Sequence, residues 1–345
     1  MAETRIALAG FGAWGQMHAR AIQAIEGAAL AGVFCHGEAS ERAATEALPD
    51  VPRFRSYHAM LEAGGFDVVT VAVPNDRHAD FAIAALEAGA HVILEKPLGV
   101  SLDECDRVLA AAAAAGRQVA VNHELRVSHQ WGKVRDIIAS DAIGRVRHQH
   151  FSLFRKPFRL GSGGWRHDRQ RVGSWILEEL VHFVDLVLWY AAENGPPRSL
   201  QAVASSAGGL ADTVTVTLTW ADGSTALATQ CLAGFEHHTL LEIAGENGAI
   251  RTWWAGVMDR TATPDFALAV RRRGAETADQ VAIPRSGEIF ELEENIRRAL
   301  DGFRTGQMVM PLADARAAVA ICLAIEESIE AGAAVDLREA AARTA

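Results

Sequence analysis

The stretch RIALAGFGAWG at residues 5–15 decides the fold. Its first half is an apolar run typical of a buried strand, and its second half places Gly10, Gly12 and Gly15 in G-x-G-x-x-G spacing. A helical pattern follows at once, over residues 14–25. Glycines in this context allow a tight turn and let a pyrophosphate approach the backbone N–H groups at a helix N-terminus. The stretch therefore predicts a dinucleotide-binding turn between a first strand and a first helix.

The rest of the first 120 residues repeats this alternation of strand and helix. Short apolar runs at 28–35, 67–74, 90–97 and 118–123 are separated by helical patterns, and a helix over 101–115 is expected to end at Gly116. Strands that alternate with helices of this length are typical of a parallel sheet. From about residue 145 the pattern changes. Alternating runs at 145–154 and 199–207, and turn signals at Asp222-Gly223 and Asn247-Gly248, indicate an antiparallel sheet.

The predicted fold class is therefore α/β, with an N-terminal Rossmann domain and a C-terminal α+β domain that carries a large, mostly antiparallel open sheet. We place the first domain at residues 1–124 and the second at 125–345, where it would bind substrate and form oligomer contacts. The second domain contains a helix at 174–191 and a helical stretch at 288–332. Whether the C-terminal helix packs back on the first domain is left open.

Composition excludes several classes of function. The chain has 345 residues and a formal net charge of −10, which argues against nucleic-acid binding. No apolar run reaches the roughly 20 residues that span a bilayer, so no membrane association is expected. The N-terminus has no secretory pattern and the four cysteines lie far apart, which favours a cytoplasmic protein without a metal site.

The end of the second strand bears on the choice between NAD and NADP. An acidic residue is expected there to bind the adenosine ribose, but the chain has Cys35 and His36, with Glu38 two residues late. A histidine could lie near a 2′-phosphate, and it could equally cap the strand end. The preference for NAD or NADP therefore stays open.

Several longer stretches resemble the Gfo/Idh/MocA oxidoreductases, the family of inositol and glucose–fructose dehydrogenases. The block at 73–97 ends in Glu95-Lys96-Pro97 like the family's second block, IGRV at 143–146 and WRHD at 165–168 match later blocks, and 311–337 resembles the closing helix and strand. The resemblance implies an NAD(P)-dependent dehydrogenase that acts on a sugar, polyol or sugar derivative. It also implies a homodimer or homotetramer formed through the C-terminal sheet.

Lys96 is expected at the carboxyl edge of the parallel sheet, where ligands bind in such folds. There it can hydrogen-bond a substrate hydroxyl, and Pro97 holds it extended across a bond that is a candidate for the cis form. Without the resemblance it would be interpreted as a surface lysine, and His78 likewise as a structural residue at a helix start. The expected cofactor contacts are Gly10, Phe11, Gly12, Ala13, Trp14, Gly15, Cys35, His36, Val73, Pro74, Asn75, His78, Glu95, Lys96 and Asn122.

The stretch GSWILEELVHFVD at 173–185 is the candidate catalytic helix. At 3.6 residues per turn, Glu178, His182 and Asp185 fall within about a 60° arc, while Glu179 lies off it. The remaining sides are apolar, which favours a buried helix whose polar stripe is paired or faces a cavity. The alternative is an ordinary exposed face.

The resemblance implies a catalytic acid and histidine at this spacing, with Glu178 in place of the usual aspartate and Leu180 in place of a usual glycine. We predict Lys96, Glu178 and His182 as catalytic residues. His182 would take the hydroxyl proton, Glu178 would orient it, and Lys96 would hydrogen-bond the same oxygen while hydride passes to the nicotinamide.

A run of cations between residues 145 and 171 reverses the sign of the local charge, with Asp168 as its one acid. It could draw an anionic substrate, or it could be a solvated or subunit-contacting surface. The predicted substrate contacts are Lys96, Arg126, Arg155, Trp165, Arg166, Glu178 and His182. Two other functions stay open: a glycoside hydrolase that oxidises its sugar transiently with tightly held NAD, and a cofactor-sensing regulator without catalysis.

Overall fold

Two β-sheets of different kinds organise the chain in the computed structural model, which describes residues 3–338. The strands are β1 (Thr4–Ala9), β2 (Ala28–Phe34), β3 (Arg53–Phe54), β4 (Val68–Val71), β5 (His91–Glu95), β6 (Val119–Asn122), β7 (Val146–Phe154), β8 (Ser199–Ser205), β9 (Thr213–Thr219), β10 (Thr225–Cys231), β11 (His237–Gly245), β12 (Gly248–Gly256), β13 (Asp265–Arg272), β14 (Asp279–Gln280) and β15 (Val335–Asp336). The helices are α1 (Ala13–Gln23), α2 (Glu38–Ala47), α3 (Tyr57–Ala63), α4 (His78–Glu87), α5 (Leu102–Ala115), α6 (Trp131–Ala139), α7 (Arg169–Val172), α8 (Val181–Tyr190), α9 (Glu288–Thr305) and α10 (Leu312–Ala331).

The chain divides into two units. The first unit comprises the described part of Met1–Glu124 with Gly161–Gly173 and Leu292–Arg316. The second unit comprises Leu125–Leu160, Ser174–Glu291 and the described part of Ala317–Ala345.

The first unit contains a six-stranded parallel sheet with strand order β3-β2-β1-β4-β5-β6. Apolar side chains project from both faces of this sheet, as is usual for parallel sheets that are covered on both sides. One face packs with α1 and α9 in a core that includes Ile6, Ile22, Ile93 and Ile296, so a C-terminal helix completes this unit. Strand order reverses beside β1, and the carboxyl ends of β1, β4 and β5 therefore form the edge at which ligands bind in such sheets.

The second unit contains a nine-stranded sheet with order β14-β13-β12-β11-β7-β10-β9-β8-β15. Among the described strands, β7 and β10 pair in parallel and the other pairs are antiparallel. Helix α8 packs on one face, where Phe183 lies 4.7 Å from Phe151 of β7 between ring centroids. Gln149 of β7 also donates to Val187 O at 3.0 Å, which fixes the helix to the sheet.

The predicted fold class is confirmed, and the local differences have physical reasons. The helix expected at 174–191 begins with a π-helical turn at Ile176–Leu180 and continues as α8. Hydrogen bonds in a π turn join residues i and i+5, so each residue turns by less than 100° about the helix axis. The arc predicted for Glu178, His182 and Asp185 shifts accordingly. Strands β14 and β15, which pair with β13 and β8, have two residues each. They are too short for hydrophobic periodicity to predict them.

Candidate functional site

The glycine turn between β1 and α1 has the shape that a bound pyrophosphate requires. Gly10 has φ +103°, and a Cβ there would lie 2.4 Å from Ala72 O. A Cβ on Gly15 would lie 2.1 Å from Gly10 O, so the turn and the first helix are packed without room for side chains. A Cβ on Gly12, by contrast, would meet nothing within 4 Å, and Gly12 is the N-cap of α1. An open helix N-terminus of this kind fits a dinucleotide phosphate.

The residues between the glycines have different environments. Phe11 is 2% exposed and packs in a core with Leu8 and Val33, so its side chain faces away from solvent. Ala13 is exposed. Trp14 is partly buried, makes an edge-to-face contact with His18 at 5.9 Å between ring centroids, and hydrogen-bonds Glu95. Of these side chains, Ala13 is the one at the solvent-facing start of α1.

At the end of β2 the two candidates for the ribose site are separated by burial. Cys35 is fully buried in the same core as Leu8, and burial raises the pKa of its thiol. His36 is exposed, and its ring lies 6.4 Å from that of Phe34. The side chain that can face a nucleotide at this strand end is therefore His36.

A buried chain of hydrogen bonds holds the carboxyl end of β5. His18 Nε2 lies 2.6 Å from Glu95 Oε1, and Asn122 Nδ2 donates to the same oxygen at 2.6 Å. Asn295 of α9 donates in turn to Asn122 Oδ1 at 2.6 Å. Burial opposes ionisation of Glu95, but the contacts with His18, the charge of Lys96 and the hydrogen bond from Trp14 together outweigh burial and lower the pKa of this carboxyl. The residue before Lys96 is thus a fixed carboxylate.

Sequence reasoning did not identify His18 and Asn295. A weak signal existed for His18, which follows Trp14 by four residues and so lies on the same face of α1. No local pattern marks Asn295, which lies 173 residues from its partner.

The His78 side chain links the segment after Lys96 to the segment after β4. The Lys96-Pro97 bond, a candidate for the cis form in the sequence, is cis, and Lys96 is partly exposed. His78 is 1% exposed, with Nδ1 2.7 Å from Pro97 O and Nε2 3.0 Å from Val73 O. Its imidazole bridges two backbone carbonyl oxygens, which is the structural role that competed with the cofactor role in the sequence.

Pro74 is followed by a 3₁₀ turn at Asn75–Arg77. The first residue of this turn hydrogen-bonds a distant part of the chain. Asn75, buried at 2% exposure, donates from Nδ2 to Val172 O at 3.1 Å. The segment Gly161–Gly173 belongs to the first unit and contains Trp165 and Arg166. The Arg166 guanidinium lies 4.9 Å from the centroid of the Trp165 indole, and both side chains are partly exposed. Two predicted substrate contacts therefore lie in the unit that contains the glycine turn.

The second unit contains the candidate catalytic helix. Glu178 is 3% exposed, His182 is 9% exposed and Asp185 is 1% exposed. These values exclude the interpretation that the polar stripe is a solvated helix face. Leu180 is fully buried at the end of the π turn. The first hydrogen bonds of the helix are secured by Ser174, whose Oγ accepts from Leu177 N at 3.1 Å.

Two arginines of the second unit, the buried Arg126 and the partly buried Arg155, are engaged by carboxylates. Arg126 donates from Nε and Nη2 to the two oxygens of Asp185 at 2.8 and 2.7 Å, and both side chains are at most 3% exposed. Arg155 donates to Glu179 at 2.6 Å and to Asp259 at 3.1 Å. These geometries give both predicted substrate residues intramolecular partners.

The surroundings of Arg155 are unusually rich in acids. Burial together with repulsion from Asp259 and Glu179 raises the pKa of Glu288 to about 8, so this carboxyl carries a proton at neutral pH. Burial and the positive charge of Arg155 lower the pKa of His237 to about 3, which makes this imidazole neutral. The cluster therefore offers no excess positive charge.

The described part of the chain contains neither a cluster of metal ligands nor a helix that could span a bilayer. No group of three or more His, Cys, Asp or Glu side chains between residues 3 and 338 is placed to hold a metal ion. Within the same range, no helix combines the length and the apolar character needed to cross a bilayer.

Comparison with known proteins gives matches along most of the chain. The family described as "Oxidoreductase family, NAD-binding Rossmann fold" matches residues 4–123. The family described as "GFO/IDH/MocA C-terminal domain" matches residues 131–251.

Individual relatives match over shorter segments. A 1,5-anhydro-D-fructose reductase of Ensifer adhaerens is 33% identical over 144 residues, which is 41% of this chain and 42% of that protein. An inositol 2-dehydrogenase of Salmonella typhimurium is 29% identical over 145 residues, 41% of this chain and 40% of that one. The matched segment thus spans about two fifths of these curated relatives. The structure of an aldose-aldose oxidoreductase from Caulobacter crescentus, complexed with glycerol, superposes with a TM-score of 0.83 at 17% identity over 97% of this chain and 99% of that chain.

Proposed function

The chain belongs to the Gfo/Idh/MocA oxidoreductase family, and from this premise we propose that it is an NAD(P)-dependent dehydrogenase that interconverts a hydroxyl and a carbonyl group of a sugar or polyol. One observation supports this proposal most strongly. The turn at Gly12 is open at a helix N-terminus, and it lies at the same edge of the parallel sheet as the end of β5, which Lys96 follows. The names of the relatives, a reductase and a dehydrogenase of polyhydroxylated compounds, support the substrate class.

The proposed roles follow from the chemistry of each side chain. The nicotinamide supplies the hydride chemistry when it is bound at the first unit. Lys96 donates a hydrogen bond to the reacting hydroxyl and so stabilises negative charge that develops on its oxygen. His182 accepts the hydroxyl proton as general base, because the ordinary pKa of histidine is near physiological pH. Glu178 orients the imidazole and stabilises its protonated form.

The residues around the candidate catalytic helix of the second unit favour a neutral substrate over an anionic one. Arg155 belongs to the cationic run that could draw an anion, and Arg126 was a predicted substrate contact, but each is paired with carboxylates inside the second unit. Hydroxyl groups, unlike carboxylates or phosphates, are compatible with the acids Glu178 and Glu179. Arg166 leaves an anionic substrate as the alternative, since it is partly exposed.

The test is a panel of neutral sugars, polyols, sugar acids and sugar phosphates with NAD and with NADP, followed by absorbance of the reduced nicotinamide. Turnover of a neutral polyhydroxylated compound supports the proposal. Turnover of acids or phosphates alone contradicts the preference for a neutral substrate. If cofactor binds but none of the panel is oxidised or reduced, a search for release of sugar from glycosides separates a hydrolase from a regulator.

The exposed His36 leads to a prediction about cofactor choice. His36→Asp places a carboxylate at the strand end, where it can accept hydrogen bonds from ribose hydroxyls and repel a 2′-phosphate. We expect the ratio of the Kd for NADP to the Kd for NAD to rise by roughly tenfold or more. Titrations of both cofactors by protein fluorescence measure the ratio, with Glu38→Gln as the control. An unchanged ratio would place His36 outside the ribose site.

We also propose that the outer face of the nine-stranded sheet joins two copies of the chain. Along strands β11, β12 and β13, buried residues alternate with partly exposed ones. The buried residues face the side on which α8 packs, and the partly exposed ones form the outer face. On this outer face Trp253 of β12 lies opposite Ala267 of β13. A groove of about 720 Å³ on this face is lined by Trp253, by small residues such as Ala267 and Ala269, and by charged side chains that include Glu242, Arg251 and Arg271. Aromatic residues and arginines are enriched in subunit contacts, and this face presents Trp253, Arg251 and Arg271.

Ala267→Glu is expected to convert the assembly to a form of half the mass, because it places a charge beside Trp253 at the centre of the face. Light scattering after size exclusion measures the mass, and Val257→Glu serves as the control at a residue that is 60% exposed. A wild-type protein that elutes as a monomer at micromolar concentration argues against the proposed contact.

A further inference from the structure

Arg155 is fixed to the second sheet by its own peptide groups. Its N–H donates to Cys231 O at 2.9 Å, and its carbonyl accepts from Gly234 N at 2.8 Å. Both partners lie at or just after the end of β10. The side chain of Arg155 therefore starts from an anchored point of the main chain.

From this point the guanidinium bridges two acids on different elements. Nη1 donates to Glu179 Oε2 at 2.6 Å, Nη2 donates to Asp259 Oδ2 at 3.1 Å, and the group lies 4.5 Å from the centroid of the Phe158 ring. The Arg155 side chain is 12% exposed. Two carboxylates more than neutralise one guanidinium, so Arg155 has little positive charge to offer a ligand.

Glu179 lies in the π turn directly after Glu178. Isolated π turns are rare and often occur at functional sites, so we expect contacts from the surrounding structure to hold this one. Neutral contacts reach the start of the turn: Gln230 Nε2 donates to Trp175 O at 3.3 Å, and Leu177 N donates to Ser174 Oγ at 3.1 Å. The Arg155–Glu179 contact is charge-assisted and shorter than either, which makes it a strong tie to the turn.

We propose that Arg155 is a positioning residue: by holding Glu179 it fixes the π turn and so the direction in which Glu178 and His182 face. This inference rests on the proposed dehydrogenase function. It replaces the expectation that Arg155 binds substrate, and the two assignments differ in their kinetics. Loss of a substrate contact raises KM, whereas loss of positioning lowers kcat.

The first experiment compares Arg155→Met and Arg155→Lys with wild type. For Arg155→Met we expect kcat to fall by about 10- to 100-fold with KM within roughly threefold, because a small misplacement of catalytic groups has effects of this size. Arg155→Lys keeps the charge but cannot bridge both carboxylates in fork geometry, so an intermediate kcat is expected. The control is Arg272→Met, which removes the same side chain from an exposed pair with Asp279. A raised KM with wild-type kcat would overturn the proposal.

A second variant guards against loss of folding, because Arg155→Met leaves two carboxylates without their cation. The triple variant Arg155→Met/Glu179→Gln/Asp259→Asn removes the three charges together, which is better tolerated than removal of one partner. A triple variant that melts like wild type but keeps the low kcat supports positioning. One that recovers wild-type kcat would overturn it.

The third measurement needs no substrate. Hydrogen exchange of the backbone amides at residues 175–181 is expected to be roughly tenfold or more faster in Arg155→Met, and unchanged in Arg272→Met, because the turn loses its tie. A wild-type protein without turnover on the panel would contradict the proposed function, and this exchange result would still decide on the role of Arg155. Unchanged exchange at these amides would overturn the proposal.

Discussion

Replacement of His182 by alanine is expected to reduce kcat by about 10²- to 10⁴-fold, the usual contribution of a general base. The side chain is 9% exposed on a buried helix of the second unit, so its removal changes little of the surface. The glycine turn lies in the first unit. The Kd for cofactor is therefore expected to stay within about twofold of wild type. Steady-state kinetics and a cofactor titration on the same preparation measure both quantities.

The matched control is His58→Ala, which removes an imidazole that is 83% exposed and should leave both quantities unchanged. A third protein, Glu178→Gln, tests whether the two groups act together. If Glu178 orients His182, then the losses in the double variant will be far from additive, as is usual for groups that act as a unit. Equal loss of turnover and of cofactor binding in His182→Ala would mean that its role is structural.

The parallel sheet and its ligand edge could be predicted because their signals are local. The G-x-G-x-x-G spacing, the buried strands and the helix signals each occupy a few neighbouring residues. Helix α5 is an example: Ser101 caps its N-terminus by accepting from Glu104 N at 3.2 Å, and Gly116 ends it at φ 60°. Resemblance to the family added the importance of Lys96 and His182, which spacing alone does not give.

Contacts between distant parts of the chain could not be predicted in the same way. The partners of Arg155 lie 24 and 104 residues away, so the charge-rich stretch read alone does not show that this cation is already paired. No local sequence pattern indicates that Gly161–Gly173 belongs to the first unit either. The π turn was missed because the helical arc assumed a constant 100° per residue. Sequence patterns proposed the reactive groups here, and the structure was needed to show that Arg126 and Arg155 are already paired with carboxylates.

Gly12→Asp is expected to weaken cofactor binding by roughly 100-fold or more while leaving the fold intact. A Cβ on Gly12 meets nothing within 4 Å, and its φ of −73° suits any residue, so the substitution introduces no strain. Aspartate is also a good N-cap, which stabilises a helix by up to a few tenths of a kcal/mol over glycine. The carboxylate would, however, fill the space at the N-terminus of α1 and repel a pyrophosphate. Calorimetric titration of NAD and NADP measures the loss, and Tm measures the fold.

Gly15→Ala provides the contrast that makes the result specific. Its Cβ would lie 2.1 Å from Gly10 O, a backbone atom that cannot move aside without distorting the turn. Overpacking of this kind costs about 1–3 kcal/mol, so Gly15→Ala should lower Tm, whereas Gly12→Asp should not. If the glycine turn is the pyrophosphate site, then the two variants separate binding from stability: Gly12→Asp loses affinity at wild-type Tm. Cofactor affinity of Gly12→Asp within threefold of wild type would show that the dinucleotide binds elsewhere, because no phosphate can share that space with a carboxylate.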